Sequence, residues 1–257
     1  MIDSWTTPRC SPLDLAGPLL LFLLQQPPVT TVLLLWMASA GSRLLLPALL
    51  PLALSRPLLL GRRTIPVLHN LCADRCDELA AMLDLLDIDV CSVSLRHSGA
   101  MDALERLGAG PRRVGASSAV GVRQLRQAAD RGAAFASTTF TTRTLAEAAR
   151  SLRLPLLAGV LSDEEAELAV SCGAAGLKFY PSSLVPPPRL LDALRSLASR
   201  HTRLPPVFVA GGVTESMREA YVCAGADGFV LGVDCAQSPD RVLEALRRTD
   251  SFGRLPP

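Results

Sequence analysis

The sequence predicts an α/β protein, a (β/α)8 barrel preceded by a hydrophobic N-terminal leader, and three observations carry that expectation. From Thr64 onward, short β-branched runs alternate with amphipathic, helix-like stretches, eight times in about 190 residues. Gly132, Gly173 and Gly225 each open a Gly-Ala step between a helical stretch and the next run, the place where a left-handed residue leads the chain back to a sheet. The chain has 257 residues, 49% hydrophobic and 4% aromatic, which is enough apolar material for one barrel core and excludes disorder for most of its length.

The leader, residues 1–63, is set apart by charge. It holds five Arg and two Asp, whereas residues 64–257 hold 21 basic and 22 acidic side chains, so the formal charge of +2 gives no hint of a nucleic-acid partner. Between Asp14 and Asp74 there is no acid, and Leu15 to Ser42 is uncharged, Leu-rich and broken by Gln25, Gln26, Pro27 and Pro28. The break leaves apolar runs of about 10 to 14 residues, short of the ~20 of a membrane helix, although the whole stretch could span with a kink. Ala38-Ser39-Ala40, after the apolar run Val32–Trp36, offers a small-residue cleavage site, and Arg43 to Arg63 has transit-peptide composition. A targeting leader is the first expectation, and a membrane anchor or upstream sequence that is not normally translated are the others. Both Trp residues, Trp5 and Trp36, fall here. The expected location is cytoplasmic or organellar, plastid-like, after leader removal, with membrane contact only through a leader that is retained.

The barrel units, 64–257, follow in order. The strand candidates are Thr64–Leu68, Ile88–Leu95, Arg113–Ala116, Ala134–Ser137, Pro155–Leu157, Gly176–Phe179, Pro206–Val209 and Gly228–Leu231, each preceding a helical stretch. Ser162-Asp163-Glu164-Glu165 is a capping box for the fifth helix, and Thr214 starts the seventh. A doubly wound open sheet is the alternative closure. Against it, the first βα turn, His69-Asn70-Leu71-Cys72, has no glycine, so the dinucleotide fingerprint is absent. Seven scattered Cys form no CxxC pair, which gives neither a disulfide framework nor a zinc site. Cys72 and Cys76, one helical turn apart, are expected as reduced, half-buried helix residues, with a redox pair as the alternative.

In a barrel, function belongs at the C-terminal strand ends. The sixth run ends Gly176-Leu177-Lys178-Phe179-Tyr180-Pro181, and Lys178 is the only Lys beside 25 Arg. An ammonium set among Leu and aromatic residues is expensively desolvated, which favours the neutral, nucleophilic amine. A Lys that snorkels to the rim is the plainer account, but Arg does surface work elsewhere in this chain, and only Schiff-base chemistry needs an amine that can lose its proton.

Around that lysine, Leu154–Pro181, LPLLAGVLSDEEAELAVSCGAAGLKFYP, resembles the pyruvate-dependent class I aldolases that cleave 2-keto-3-deoxy-6-phosphogluconate and 4-hydroxy-2-oxoglutarate, together with their phosphogalactonate relatives. The likeness runs from about Ile65 to Cys235 through Val93-Ser94-Leu95-Arg96, Val114-Gly115-Ala116-Ser117-Ser118, Gly132-Ala133-Ala134-Phe135, Gly211-Gly212-Val213, Gly225-Ala226-Asp227 and Leu231-Gly232. The resemblance implies a homotrimeric TIM barrel in which Lys178 forms an imine with pyruvate or a 2-keto acid and Arg96 clamps the substrate carboxylate. Alternation sends Ser92, Ser94 and Arg96 to one strand face, and a rim Arg paired with a surface acid is the alternative for Arg96. Ser118 takes the place of the family's substrate-contacting Thr. The backbone N–H groups of Gly211, Gly212 and Gly232 would hold a phosphate, although Ala210 and Val233 replace hydroxyl side chains there and purely structural turns serve equally well. No metal or organic cofactor is implied, since the protonated imine is the electron sink.

The sequence departs from the family at proton transfer. Ser92 stands where the family has its Glu, and a lone hydroxyl cannot cycle as general acid and base, a role worth roughly 10²–10⁴-fold. Ala158, Thr139 and Phe140 also replace family turn residues. Two expectations follow. Either His97, next to Arg96, supplies the acid/base function, which requires the chain to turn at the strand end, or Ser92 leaves room for a water in a slow or non-catalytic ligand-binding barrel. His69 is expected as a satisfied rim residue.

Overall fold

In the computed structural model, eight parallel strands close on one another in chain order, β1 pairing with β8. The structure describes residues 64–253. The leader with its targeting, anchor and cleavage expectations, Trp5, Trp36 and Cys10, and residues 254–257 lie outside the described residues. The strands are β1 (Thr64–His69), β2 (Val90–Ser94), β3 (Arg113–Ala119), β4 (Phe135–Thr138), β5 (Leu156–Val160), β6 (Gly176–Phe179), β7 (Val207–Ala210) and β8 (Gly228–Asp234). The helices between and after them are α1 (Cys76–Leu85), α2 (Ala100–Gly108), α3 (Val122–Asp130), α4 (Arg143–Ser151), α5 (Asp163–Ser171), α6 (Pro187–Ala198), α7 (Glu215–Cys223) and α8 (Pro239–Gly253). Closure excludes the open-sheet alternative. Among the described residues no helix is long and apolar enough to cross a membrane.

Period-two alternation splits the strands between two cores. Leu68, Val93, Ala116, Leu177 and Val209 face outward against helix residues such as Leu83, Leu104 and Leu125. Ile65, Val67, Val90, Phe135, Leu157, Phe208 and Val230 fill the lower barrel. Gly115 makes room there, since a β-carbon on it would stand 2.4 Å from the Phe135 ring.

The Gly-Ala steps close their helices as the sequence suggests. Gly132 has φ +79°, its N–H bonds to Ala129 O at 3.0 Å, and the Ala133 N–H bonds to Ala128 O at 2.9 Å. Gly173 and Gly225 repeat the motif, and Asp87 and Arg153 adopt it as non-glycine residues at φ 54° and 53°. At α5, Ser162 Oγ accepts the Glu165 N–H at 3.3 Å, while the Glu165 carboxylate accepts from the Leu161 N–H at 2.7 Å, one residue before the cap. Thr214 starts α7 without capping it; its hydroxyl pairs with Ser216 Oγ at 3.0 Å.

Candidate active site

On β6, Leu177 and Phe179 enter the outer core and Lys178 turns into the barrel, where it is 7% exposed. Its Nζ donates to Ser137 Oγ at 2.8 Å and lies 5.8 Å from the Tyr180 ring centroid. Burial first, and the Arg96 guanidinium second, push the lysine down from 10.5 to about 7. Near neutral pH about half of the side chain is therefore a free amine with a lone pair to give.

Ser137 belongs to a layer of hydroxyls above the apolar floor. Ser94 and Ser117 are register partners, as are Ser117 and Ser137, so the layer crosses β2, β3 and β4 and ends on the lysine. Ser117 Oγ donates to Ser92 Oγ at 2.8 Å, and Ser92 Oγ donates to Pro66 O at 3.4 Å. Ser92 is thus fully buried, inward-facing and bonded on both sides. Ser118 sits at the β3–β4 register shift with φ 63°, its hydroxyl accepting from Ser94 Oγ at 3.5 Å.

β2 ends at Ser94, and the chain turns through Leu95. This turn carries the exposed Arg96 and the half-buried His97 onto one wall of a cavity of about 480 Å³ at the mouth, together with Ser94, His69, Gly232 and Asp234. An extended strand would have pointed His97 away from Arg96. His97 also has a local duty, because its Nδ1 accepts the Gly99 N–H at 3.2 Å and its carbonyl accepts the Ala100 N–H at 3.2 Å, tying off the start of α2. Lys178, Ser92, Ser118, Gly211 and Gly212 are not among the residues that line this cavity; the lysine lies deeper.

Gly211 and Gly212 both have φ +81°, and a β-carbon on Gly211 would stand 2.7 Å from the Tyr180 ring. The Gly211 carbonyl accepts from the Ser182 N–H at 3.2 Å and from its hydroxyl at 2.5 Å. At Gly232 a β-carbon would meet His69 Nε2 at 3.1 Å. Packing against Tyr180 and His69 is therefore a sufficient reason for glycine at 211 and 232.

His69, expected as a satisfied rim residue, stands at the end of β1 in register with Asp234. It lines the mouth and is held below the usual histidine range by burial first and by Arg96 second, with Asp234 opposing. The alternation Ile65, Val67, His69 on β1 was the available signal. Ser137, by contrast, has nothing in its sequence neighbourhood to mark it. The cysteine expectation is corrected: Cys72 is exposed and precedes the short 3-10 turn Ala73–Arg75, whereas Cys76 is buried on α1 and burial pushes its thiol up to about 11. The described cysteines are free thiols.

The structure thus sets a desolvated amine inside a closed parallel barrel and a guanidinium at its mouth. The family model for KDPG and KHG aldolases matches residues 59–239. The chain therefore belongs to the KDPG and KHG aldolase family, a family of lyases. Among solved structures it is similar to a KDPG aldolase of Zymomonas mobilis with 3-phosphoglycerate, at 22% identity and TM-score 0.66, covering 79% of this chain and 98% of that one. It is similar to a KDPG aldolase of Legionella pneumophila with pyruvate captured as a covalent carbinolamine, at 22% identity and TM-score 0.66, covering 78% and 98%. A native KDPGal structure matches at 20% identity and TM-score 0.65, covering 74% and 97%. No curated protein matches.

Proposed function

We propose that the protein is a carbon–carbon lyase that releases pyruvate from a 2-keto-4-hydroxy acid through an imine on Lys178. The burial of that single lysine against Ser137, under the influence of Arg96, is the observation that carries the proposal. The amine attacks the C2 ketone, and the carbinolamine loses water to give a protonated imine. The C3–C4 bond then breaks: the C4 hydroxyl gives up its proton and C4 leaves as an aldehyde, while the electron pair of the broken bond moves into the imine to form an enamine. Protonation at C3 and hydrolysis release pyruvate and free the lysine. Arg96 pairs with the substrate carboxylate and Ser118 offers its hydroxyl to the bound head group, whereas the Ser92 proton is already given to Pro66 O. His97, beside Arg96 on the cavity wall, is assigned proton transfer, since an imidazole ring carries both a proton donor and a proton acceptor. A 2-keto-3-deoxy-6-phospho sugar acid and 4-hydroxy-2-oxoglutarate share this head group. The geometry at Ser92, a bonded hydroxyl inside the barrel, favours a second reading: a barrel that forms the imine but turns over little.

A homotrimer is the assembly proposed, supported by the exposed Val120 and Phe140 beyond neighbouring strands β3 and β4. A cleaved leader and an organellar or cytoplasmic location are proposed with it, and mass spectrometry of the mature N-terminus tests the cleavage.

Sodium borohydride with pyruvate, followed by intact-mass measurement, tests the chemistry. The expected result is one reduced adduct that disappears in Lys178→Met. No adduct at millimolar pyruvate overturns both the lyase and the imine-binding readings.

A further inference from the structure

We infer that the mouth of this barrel takes a 2-keto acid whose far end is uncharged and hydroxyl-bearing, and that Asp234 sets this preference against a phosphorylated substrate. The inference rests on imine formation at Lys178 and concerns the other end of the same ligand.

β8 stays paired with β1 to its last residue, His69 facing Asp234 in register, so the strand ends in a closed ladder. Asp234 projects into the mouth cavity from there. Its Oδ1 accepts from Asn70 Nδ2 at 3.0 Å and from the Ala236 N–H at 3.1 Å, and the Gln237 side chain bonds the same carboxylate. These bonds hold the carboxyl below its usual range, so it is ionised at neutral pH. A backbone N–H just past β8, the kind of donor an anion seeks at a barrel mouth, is thus already engaged by a carboxylate of the chain itself.

The permanent charges on the cavity wall are Arg96 and Asp234, one of each sign. The carboxylate of a 2-keto acid pairs with Arg96 and leaves no permanent cation on this wall for a second anion. A phosphate dianion entering the same 480 Å³ would then face Asp234, a like charge lining the same mouth. A hydroxyl fares differently. A carboxylate offers about four acceptor positions, and the bonds from Asn70, Ala236 and Gln237 leave one for a substrate O–H.

The test uses the full chain and borohydride trapping in three arms, each read by intact mass as total adduct, whether whole substrate or the pyruvate left after cleavage. Pyruvate alone has no far end and reports the lysine only. 2-Keto-3-deoxygluconate and its 6-phosphate, supplied singly at the same sub-saturating concentration, report the mouth. The unphosphorylated acid is expected to trap at least roughly tenfold faster, and Asp234→Asn, which keeps the side-chain shape and removes the charge, is expected to move that ratio roughly tenfold toward the phosphate ester. Failure to trap pyruvate removes the lysine chemistry and this inference with it. Trapping of pyruvate together with a preference for the phosphate ester in the unaltered chain overturns the inference alone, and so does a ratio that Asp234→Asn leaves in place.

Discussion

Lys178→Met places an unbranched apolar chain of similar length where the lysine is now 7% exposed inside the barrel. Burial and Arg96 lower the lysine from 10.5 to about 7, and each pH unit of displacement corresponds to ~1.4 kcal/mol. The folded protein thus carries a penalty of about 5 kcal/mol for its ammonium form. Between pH 7 and 10.5 the unfolded chain holds this proton and the folded chain has released it, so stability rises with pH across that window. Below pH 7 the whole penalty is present, and above 10.5 it is gone. The Met variant has no such dependence, but it strips Ser137 of its 2.8 Å bond, a loss of roughly 1–3 kcal/mol. A net gain of ~2–4 kcal/mol is expected for the variant at pH 7, shrinking by ~1.4 kcal/mol for each unit above it. Urea unfolding of both proteins from about pH 6 to about pH 9.5 measures this difference. A variant less stable than the parent at pH 7, or a difference flat with pH, refutes the claim that the amine is desolvated.

Three further outcomes are expected. Ser92→Glu restores a carboxylate to the barrel interior and should raise pyruvate release by roughly 10²–10⁴-fold in a coupled assay; no gain would show that the absent base is not what limits turnover. Gly211→Ala puts a β-carbon 2.7 Å from the Tyr180 ring at φ +81° and should cost ~2–4 kcal/mol in chemical denaturation. Arg153→Gly, at an exposed helix end with φ 53°, should stabilise by ~0.5–1 kcal/mol, read as a small rise in Tm.

Every strand lies where alternation and β-branching put it, but several run longer than the sequence indicates. β8 continues to Asp234 because β1 offers it partners up to His69, and β3 extends to Ala119 through a register shift beside β4. A strand ends where its neighbour stops bonding it, and that neighbour is remote in sequence. At the site, Lys178 stood out because it is the only Lys, and Arg96 through the resemblance, since β2 stops two residues before it and alternation does not reach it. On an extended strand His97 would point away from Arg96, and the turn that its role requires is present, since β2 stops at Ser94 and both residues line the mouth cavity. Ser137 gave no signal, because a serine reads alike in a core, on a rim or in a loop, and only closure of the barrel sets it beside the amine.

The barrel's interior has an apolar base of Ile65, Val67, Phe135, Leu157, Phe208 and Val230 beneath a tier of serines. Shape and reactivity are thereby assigned to different storeys of one cylinder. Exchanges in the upper storey alter what the protein does to a ligand while the foundation keeps the staves in place. A lineage with this division of labour can drift out of catalysis, or return to it, one small side chain at a time.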